Sequence, residues 1–242
     1  MHRKAFLKKS VGLLSILPVL LSCSDESVDT DDSGTADEQG STNGSSSSDC
    51  QVTNSETEGP FPSKNPSSLV LTDITGDRSG VKMTIELAIK NYNSGCNALA
   101  NVLVDIWHCD AQGNYSQYGG TQMQSTNYSS VSWLRGRQTT STEGKAGFTS
   151  IFPGWYMGRA PHIHVHVYNS SGKSLLVTQI AFPKTVCDTV YSTADDYKSH
   201  GLQDTTNERD NVFGDGYANE LASVSGSIRD GYKLTHTIVV NG

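Results

Sequence analysis

The sequence predicts an all-β fold, an antiparallel β-sandwich with long loops. Apolar and polar residues alternate over short segments, as they do in strands that have one buried face. Turn-forming pairs such as Ser-Gly, Asn-Gly and Asp-Gly separate these segments, and helical periodicity is scarce. Short strands at this spacing are typical of two packed sheets.

Eight strands are expected in chain order, beginning with 81–88, where apolar residues fall on every second position. The full set is 81–88, 102–107, 134–140, 147–152, 162–168, 175–182, 222–228 and 233–240. The stretches 114–132 and 183–220 exceed ordinary connection lengths, so we expect functional loops or local helical excursions there. An immunoglobulin- or transthyretin-like arrangement fits this order of strands.

The first 22 residues indicate an export signal rather than a part of the fold. Four basic residues at positions 3–9 precede an apolar run, 11–21, that is too short to span a bilayer. The run ends in Leu-Leu-Ser-Cys, which resembles the bacterial lipobox and implies cleavage after residue 22 and lipidation of Cys23. The alternative is an ordinary secretory signal with a chance cysteine. We therefore expect an exported protein, anchored by lipid to a bacterial cell-envelope membrane and facing the periplasm or the surface.

Residues 23–49 are expected to form a disordered acidic tether. Eight carboxylates and no basic residue occupy 24–49, and such a segment cannot bury enough apolar surface to become ordered. The formal charge of −7 becomes about −3 for residues 50–242 once the four basic signal residues and the eight tether acids are set aside. That weak balance argues against nucleic acid and against an electrostatic membrane patch. Residues 50–242 have the size of one domain with one core.

The domain contains four cysteines, Cys50, Cys96, Cys109 and Cys187. An even number in an exported protein suggests two disulfides, with three possible pairings. Cys96 and Cys109 flank one expected strand and would lie too far apart to pair. Of the remaining pairings we favour Cys50–Cys109 together with Cys96–Cys187.

Three of the chain's seven histidines, His162, His164 and His166, fall within five residues. Successive side chains of a strand point to opposite faces, so all three histidines point the same way. Imidazoles at this spacing can converge on one metal ion. The alternative is a half-buried strand whose alternate positions happen to be histidine.

Two tyrosines can reach the entrance of the histidine strand. Tyr156 lies six residues before His162, across a turn that contains glycine, and Tyr115 follows the end of a strand among small polar residues. Phenolate is a hard anionic donor that suits ferric iron, because a trivalent cation lowers the pKa of the phenol enough for binding at neutral pH. Each tyrosine alone is typical of a core or rim aromatic, whereas the combination with two histidines is specific.

Four blocks of the sequence resemble those of one enzyme family. They are Thr-Glu-Gly-Pro-Phe at 57–61, the block 105–116, the block 134–156, and Arg-Ala-Pro-His-Ile-His at 159–164. In this order they resemble the intradiol ring-cleavage dioxygenases, of the protocatechuate and catechol dioxygenase type, over nearly the whole chain from about residue 50. The resemblance implies a β-sandwich that holds a non-haem ferric ion, Fe(III), through Tyr115, Tyr156, His162 and His164.

The same resemblance implies a reaction. The substrates would be a small aromatic diol of the catechol type and O2, and both oxygen atoms would enter a muconate-type dicarboxylic acid. Tyr156 would leave the iron as the catechol binds. Arg159 would stabilise negative charge on the bound ring, unless it serves only in a structural salt bridge. Gln179 would aid the oxygen intermediate or orient a ligand, with a purely structural role as its alternative.

The chain departs from the family pattern at several positions. His166 lies on the ligand face one pleat further on, where we expect it to support the site or the core rather than bind metal. His108 is expected to be structural. Pro62 replaces a tyrosine that often follows the first block, so the sequence does not name the catechol. The helical dimerisation domain of catechol dioxygenases has no counterpart here, which leaves the oligomeric state open.

Two other functions are compatible with these residues. A cupin-like oxygenase would use His162, His164 and a third histidine or a carboxylate around Fe(II) or Zn(II), and would leave the tyrosines without a role. A surface lipoprotein with an immunoglobulin-like sandwich would instead bind a glycan or a protein, with Trp107, Trp133 and Trp155 as an aromatic platform.

Overall fold

The computed structural model describes residues 50–242. The expected signal, the lipidation site at Cys23 and the acidic tether lie outside the described residues. Between residues 50 and 242, no helix is long and apolar enough to cross a membrane.

Two β-sheets make up most of the described chain. The first contains β1 (Lys82–Asn91), β2 (Asn97–Ala98), β5 (Lys145–Ile151), β8 (Ser223–Ser227) and β9 (Gly231–Val240). The second contains β3 (Leu103–Trp107), β4 (Arg135–Thr139), β6 (His162–Tyr168) and β7 (Ser174–Ala181), in the order β4-β3-β6-β7. In the first sheet β1 pairs with β9 along one edge and with β5 and β2 along the other, and β8 continues the sheet beyond β9. The all-β class and the sandwich are confirmed.

One strand pair departs from the antiparallel arrangement that the sequence suggested. β1 and β9 run parallel, with residues 83–91 opposite residues 232–240. A parallel pair needs a long connection, and here all the chain between the first and last strands supplies it. Hydrophobic alternation shows which face of a strand is buried but carries no information on its direction, so the sequence could not reveal this pair.

The core lies between the two sheets and fixes which way the histidines point. Apolar side chains fill it from both sides: Met83, Ile85, Leu87 and Ile89 from β1, and Val104, Ile106, Ile163, Val165 and Val167 from β3 and β6. Because side chains alternate along β6, His162, His164 and His166 point to the opposite, outer face of the second sheet. These histidines are nevertheless buried, since other segments cover that face.

The two long stretches differ from each other. The stretch 183–220 contains α1 (Lys184–Thr193), α2 (Asp195–Lys198) and a 3-10 turn at Asn207–Arg209, so the helical excursion is observed there. The stretch 114–132 forms no regular element and is a loop.

The favoured disulfide pairing is wrong. Cys50 is bonded to Cys96, with Cα atoms 5.7 Å apart, which ties the first described residue to the turn after β1. Cys109 and Cys187 are free and buried, at the end of β3 and on α1. Burial raises the pKa of both thiols, so both remain protonated at neutral pH. The expected strands indicated that Cys96 and Cys109 are far apart. They did not indicate which cysteines would be buried by packing.

Candidate metal centre

Tyr115, Tyr156, His162 and His164 converge on the outer face of the second sheet. The Nε2 atoms of His162 and His164 lie 3.1 Å apart. The phenol oxygen of Tyr115 is 3.4 Å from Nε2 of His162. The Tyr156 ring centroid lies 5.7 Å from those of both Tyr115 and His162. The structure therefore brings together all four residues that the sequence proposed as ligands.

Both imidazoles are held in fixed orientations. Nδ1 of His162 lies 2.6 Å from the Ala160 carbonyl oxygen, and because a carbonyl only accepts, Nδ1 carries the proton and Nε2 the lone pair. His164 stacks on Trp107, with centroids 4.8 Å apart and planes 3° apart. Its Nδ1 is buried and forms no hydrogen bond within the described residues. Burial lowers the pKa of both histidines well below the usual range, so both are neutral donors at neutral pH.

Tyr115 is fixed by the loop that follows β3. Oδ1 of Asp110 accepts hydrogen bonds from the backbone amides of Gln112 and Asn114, at 3.0 and 2.9 Å, and so forms the turn before the tyrosine. Gln124 then bonds both the amide and the carbonyl of Tyr115, at 2.6 and 2.8 Å. Burial raises the pKa of the phenol well above its usual value. Such a phenol ionises only beside a strong positive charge, such as a trivalent metal ion.

Tyr156 and Arg159 occupy the two ends of a tight turn between β5 and β6. The turn is closed by a hydrogen bond of 3.1 Å, which the backbone amide of Arg159 donates to the Tyr156 carbonyl. Nη1 of Arg159 donates to the Tyr156 hydroxyl at 3.2 Å, and Nη2 donates to Oε1 of Gln179 at 2.5 Å. Burial raises the pKa of Tyr156, and the positive charge of Arg159 opposes that rise. Arg159 therefore connects a proposed ligand with Gln179.

An N-terminal segment covers the site, and we call residues 51–64 the strap. Nε2 of Gln179 donates to the Thr57 carbonyl at 2.8 Å, which holds the middle of the strap against β7. Gly59 has a φ of +66°, and a Cβ there would lie 3.0 Å from Cε1 of His164. Glycine is the residue that tolerates both this backbone conformation and this close approach.

Arg135, which sequence reasoning did not single out, joins the strap to the loop of Tyr115. Its Nη1 donates to the Phe61 carbonyl at 2.9 Å, and Nε and Nη2 donate to the hydroxyl and carbonyl of Ser116, at 2.9 and 2.7 Å. The Phe61 ring stacks on Tyr115 with centroids 4.7 Å apart. Burial lowers the pKa of Arg135 to about 10, which leaves a charged guanidinium beside the buried phenol at neutral pH.

Asp210 is the second residue that sequence reasoning missed. It lies in the stretch 183–220, which contains no recognisable motif, and its carboxylate is buried against Arg159 at 2.9 Å. The signal in the sequence that could have pointed to Asp210 is Arg159, three residues before His162, because a buried guanidinium needs an acceptor.

His166 and His108, the other two histidines considered from the sequence, lie outside the four-residue cluster. Nε2 of His166 is 2.8 Å from the Ser174 hydroxyl, and its Nδ1 is 3.0 Å from a carboxylate oxygen of Glu58, which ties the strap to β6. His108 lies 2.8 Å from the Cys109 carbonyl through Nδ1, and burial lowers its pKa to about 4. Both sets of contacts hold backbone segments in place.

The alternative functions lack support in the site. Trp107 and Trp133 are only 2% and 6% exposed and belong to separate clusters, so they do not form an aromatic platform with Trp155. Across residues 50–242, no group of three His, Cys, Asp or Glu side chains is placed to hold a metal ion. The side chains that accompany the histidine pair are Tyr115 and Tyr156.

Fold and site together define a class of protein: a β-sandwich in which one outer sheet face brings together a buried tyrosine, a partly buried tyrosine and two buried histidines, a donor set suited to a hard metal ion. Residues 59–218, more than half of the chain, match the family model described as Dioxygenase. The chain belongs to this family and is an intradiol ring-cleavage dioxygenase. None of the curated proteins matches the sequence.

Solved structures show the same similarity. The chain is 25% identical to an intradiol ring-cleavage dioxygenase from Tetranychus urticae, with a TM-score of 0.70 over 79% of this chain and 95% of that one. It is 24% identical to the dioxygenase domain of a dioxygenase carbohydrate-binding protein fusion from Streptomyces sp. SirexAA-E, with a TM-score of 0.52 over 78% and 97%. It is 18% identical to 3-chlorocatechol 1,2-dioxygenase from Rhodococcus opacus 1CP, with a TM-score of 0.51 over 78% and 71%. The last two share the fold with this chain.

Proposed function

We propose that the protein is a non-haem Fe(III) dioxygenase that cleaves a catechol-type ring between its two hydroxylated carbons. O2 is the second substrate, and a muconate-type dicarboxylic acid is the product. The observation that supports this most is the convergence of two neutral imidazoles whose Nε2 atoms lie 3.1 Å apart, with the Tyr115 phenol oxygen 3.4 Å from Nε2 of His162. Two phenolates beside two imidazoles make a donor set suited to a hard trivalent ion.

The four residues Tyr115, Tyr156, His162 and His164 would hold the iron. When bound, the ferric ion would supply the positive charge that keeps the phenols ionised and withdraws electrons from a coordinated catecholate. The phenolate oxygen of Tyr156 would accept a proton from the catechol and become the neutral phenol. It already receives a hydrogen bond from Nη1 of Arg159 at 3.2 Å, which keeps the freed phenol near the site.

Arg159 and Gln179 would act on the ring and on oxygen. The guanidinium stabilises negative charge that develops on the substrate, because it is held in a site from which water is largely excluded. Gln179 is fully buried between Arg159 and the Thr57 carbonyl, so its amide has a single orientation. Phe61 and Trp107 add apolar walls that exclude water from the cluster.

We also propose that the enzyme works outside the cytoplasm, anchored through lipid on Cys23 and in contact with the membrane by that anchor alone. The Cys50–Cys96 disulfide supports export, since such bonds persist in oxidising compartments. Labelling with a radioactive fatty acid should mark the wild-type protein, and Cys23→Ser should abolish the label and release the protein from membranes. A label that persists in Cys23→Ser would reject the anchor.

Colour provides the test of the metal centre. The iron-loaded protein should absorb visible light through phenolate-to-ferric charge transfer, and Tyr115→Phe and Tyr156→Phe should each weaken or shift the band. Tyr118→Phe is the matched control, because Tyr118 packs in the same aromatic cluster while its hydroxyl donates to the Pro62 carbonyl. An iron-loaded protein without a visible band would reject the ligand set.

Turnover provides the test of the reaction. A panel of catechols, added without oxygen, should shift the visible band when a true substrate binds. Oxygen uptake should then yield a muconate, as intradiol cleavage requires. A semialdehyde product, which results from cleavage beside the diol, would contradict the proposed chemistry.

A further inference from the structure

Asp210 makes an unusually complete set of contacts for a residue of a long loop. Nε of Arg159 donates to both of its carboxylate oxygens at 2.9 Å. The backbone amide of Ala160 donates to Oδ2 at 2.7 Å, and that of Val212 to Oδ1 at 2.9 Å. The side chain is entirely buried. A carboxylate removed from water is tolerated because four hydrogen bonds and one positive charge replace its hydration.

The loop around Asp210 is itself anchored, which keeps the carboxylate beside Arg159. The 3-10 turn Asn207–Arg209 precedes it, and the side-chain amide of Asn207 donates to the Phe182 carbonyl at 2.9 Å, just beyond β7. On its other side Phe213 packs with Ala160 in a small apolar cluster. The loop is therefore fixed to the sheet on both sides of the aspartate.

The contacts of Asp210 decide where Arg159 points. Because Nε is occupied by the carboxylate, the two outer nitrogens of the planar fork face Tyr156 and Gln179. The same carboxylate holds the Ala160 amide, and the Ala160 carbonyl sets the proton position on His162. One side chain thus orients the groups on both sides of the site while it contacts none of the four proposed metal ligands directly.

We propose that Asp210 is a positioning residue of the dioxygenase, which acts by fixing the direction of Arg159 toward Tyr156 and Gln179. The inference rests on the proposed function of Arg159. A buried ion pair adds little stability compared with apolar packing of the same volume, so we assign this pair an orienting role rather than a stabilising one. Loss of a partner that orients a metal-site residue typically costs 10–100-fold in activity or metal affinity.

A double-mutant cycle on the iron-loaded protein tests the proposal. Asp210→Asn should lower kcat about 10–100-fold with a smaller effect on KM, and should shift the visible band by releasing the Arg159 contact to Tyr156. In an Arg159→Gln background, Asp210→Asn should change kcat less than about 2-fold, because the asparagine oxygen can still accept the hydrogen bond of the Ala160 amide and the remaining effect passes through Arg159. Equal losses in both backgrounds would overturn the proposal. Asp204→Asn is the matched control, since Asp204 bonds the Gly158 amide of the same turn without reaching Arg159.

A measurement on iron-free protein separates this inference from the proposed function. In the NMR spectrum of the wild type, the Nε–H proton of Arg159 should have a chemical shift displaced from that of a free arginine and should exchange slowly with solvent. Asp210→Asn should lose both properties. If Asp210→Asn does not fold, Arg159→Gln/Asp210→Asn should, because it leaves no unpaired buried charge, and its kcat should equal that of Arg159→Gln. An unchanged Arg159 resonance in Asp210→Asn would overturn the positioning role whether or not the protein cleaves catechols.

Discussion

Replacing Gly59 with alanine should disturb His164 from outside the sheet. The residue has a φ of +66°, and an L-residue in this left-handed region costs roughly 1–2 kcal/mol. The new Cβ would lie 3.0 Å from Cε1 of His164, whereas ordinary carbon contacts are about 3.5–4.0 Å. His164 would therefore have to move by a few tenths of an ångström, although its stacking on Trp107 restricts that movement.

The expected loss of stability follows from these two costs. Backbone strain with an added steric penalty gives about 2–3 kcal/mol. A domain of this size loses about 2–4 °C in Tm per kcal/mol, so Gly59→Ala should melt about 4–12 °C lower. Gly172→Ala is the matched control, because Gly172 has a φ of +83° but no atom within 4 Å of the added Cβ. Gly172→Ala should therefore lose only the stability that the left-handed backbone conformation costs.

Iron binding separates the two variants more sharply than melting does. Gly59→Ala should bind ferric iron about 10–100-fold more weakly, as expected when a ligand is displaced from its geometry. Gly172→Ala should bind iron like the wild type, and competition with a chelator measures both affinities. If Gly59→Ala keeps wild-type iron affinity and colour, either His164 is not a ligand or the strap does not determine its position.

Two further predictions concern the domain's stability. Cys50→Ser/Cys96→Ser removes a bond across 46 residues and should cost about 4 kcal/mol; an unchanged Tm in the wild type after reduction would contradict this. Burial raises the pKa of Glu220 from 4.5 to about 8, so the folded state keeps a proton that the unfolded state releases, and stability should fall as pH rises from about 4.5 to 8. Glu220→Gln should flatten that fall in a pH series of denaturant titrations, and an unchanged slope would refute the assignment.

The sequence predicts the histidine face of β6 well because that prediction depends only on local geometry. The period of two places Ile163, Val165 and Val167 on one side and the histidines on the other, whatever the rest of the chain does. The same argument places β1 in the core. It does not give strand direction, so the parallel pairing of β1 with β9 was not foreseen.

The disulfide and the supporting charges depend on tertiary packing, and no local pattern encodes them. Cys50 pairs with Cys96 because the strap begins beside the turn after β1. The roles of Arg135 and Asp210 are seen only in the folded structure, in which the strap and the stretch 183–220 cover the second sheet. The sequence indicates that Arg159, if buried, needs a hydrogen-bond acceptor. It does not indicate which of the chain's carboxylates is that acceptor.

The two faces of β6 therefore serve different purposes, and the buried charges show why. The inner face contacts an apolar core, where side chains need only fill space. The outer face buries Arg135 and Asp210 and largely encloses Arg159 beside the tyrosines and histidines, although these charges lose most of their hydration there. Such an arrangement is poorly explained by stability, because apolar residues would pack the same volume at lower cost. It is explained if the outer face must hold phenol, imidazole and guanidinium groups in fixed directions around a substrate, which is what the proposed ring cleavage requires.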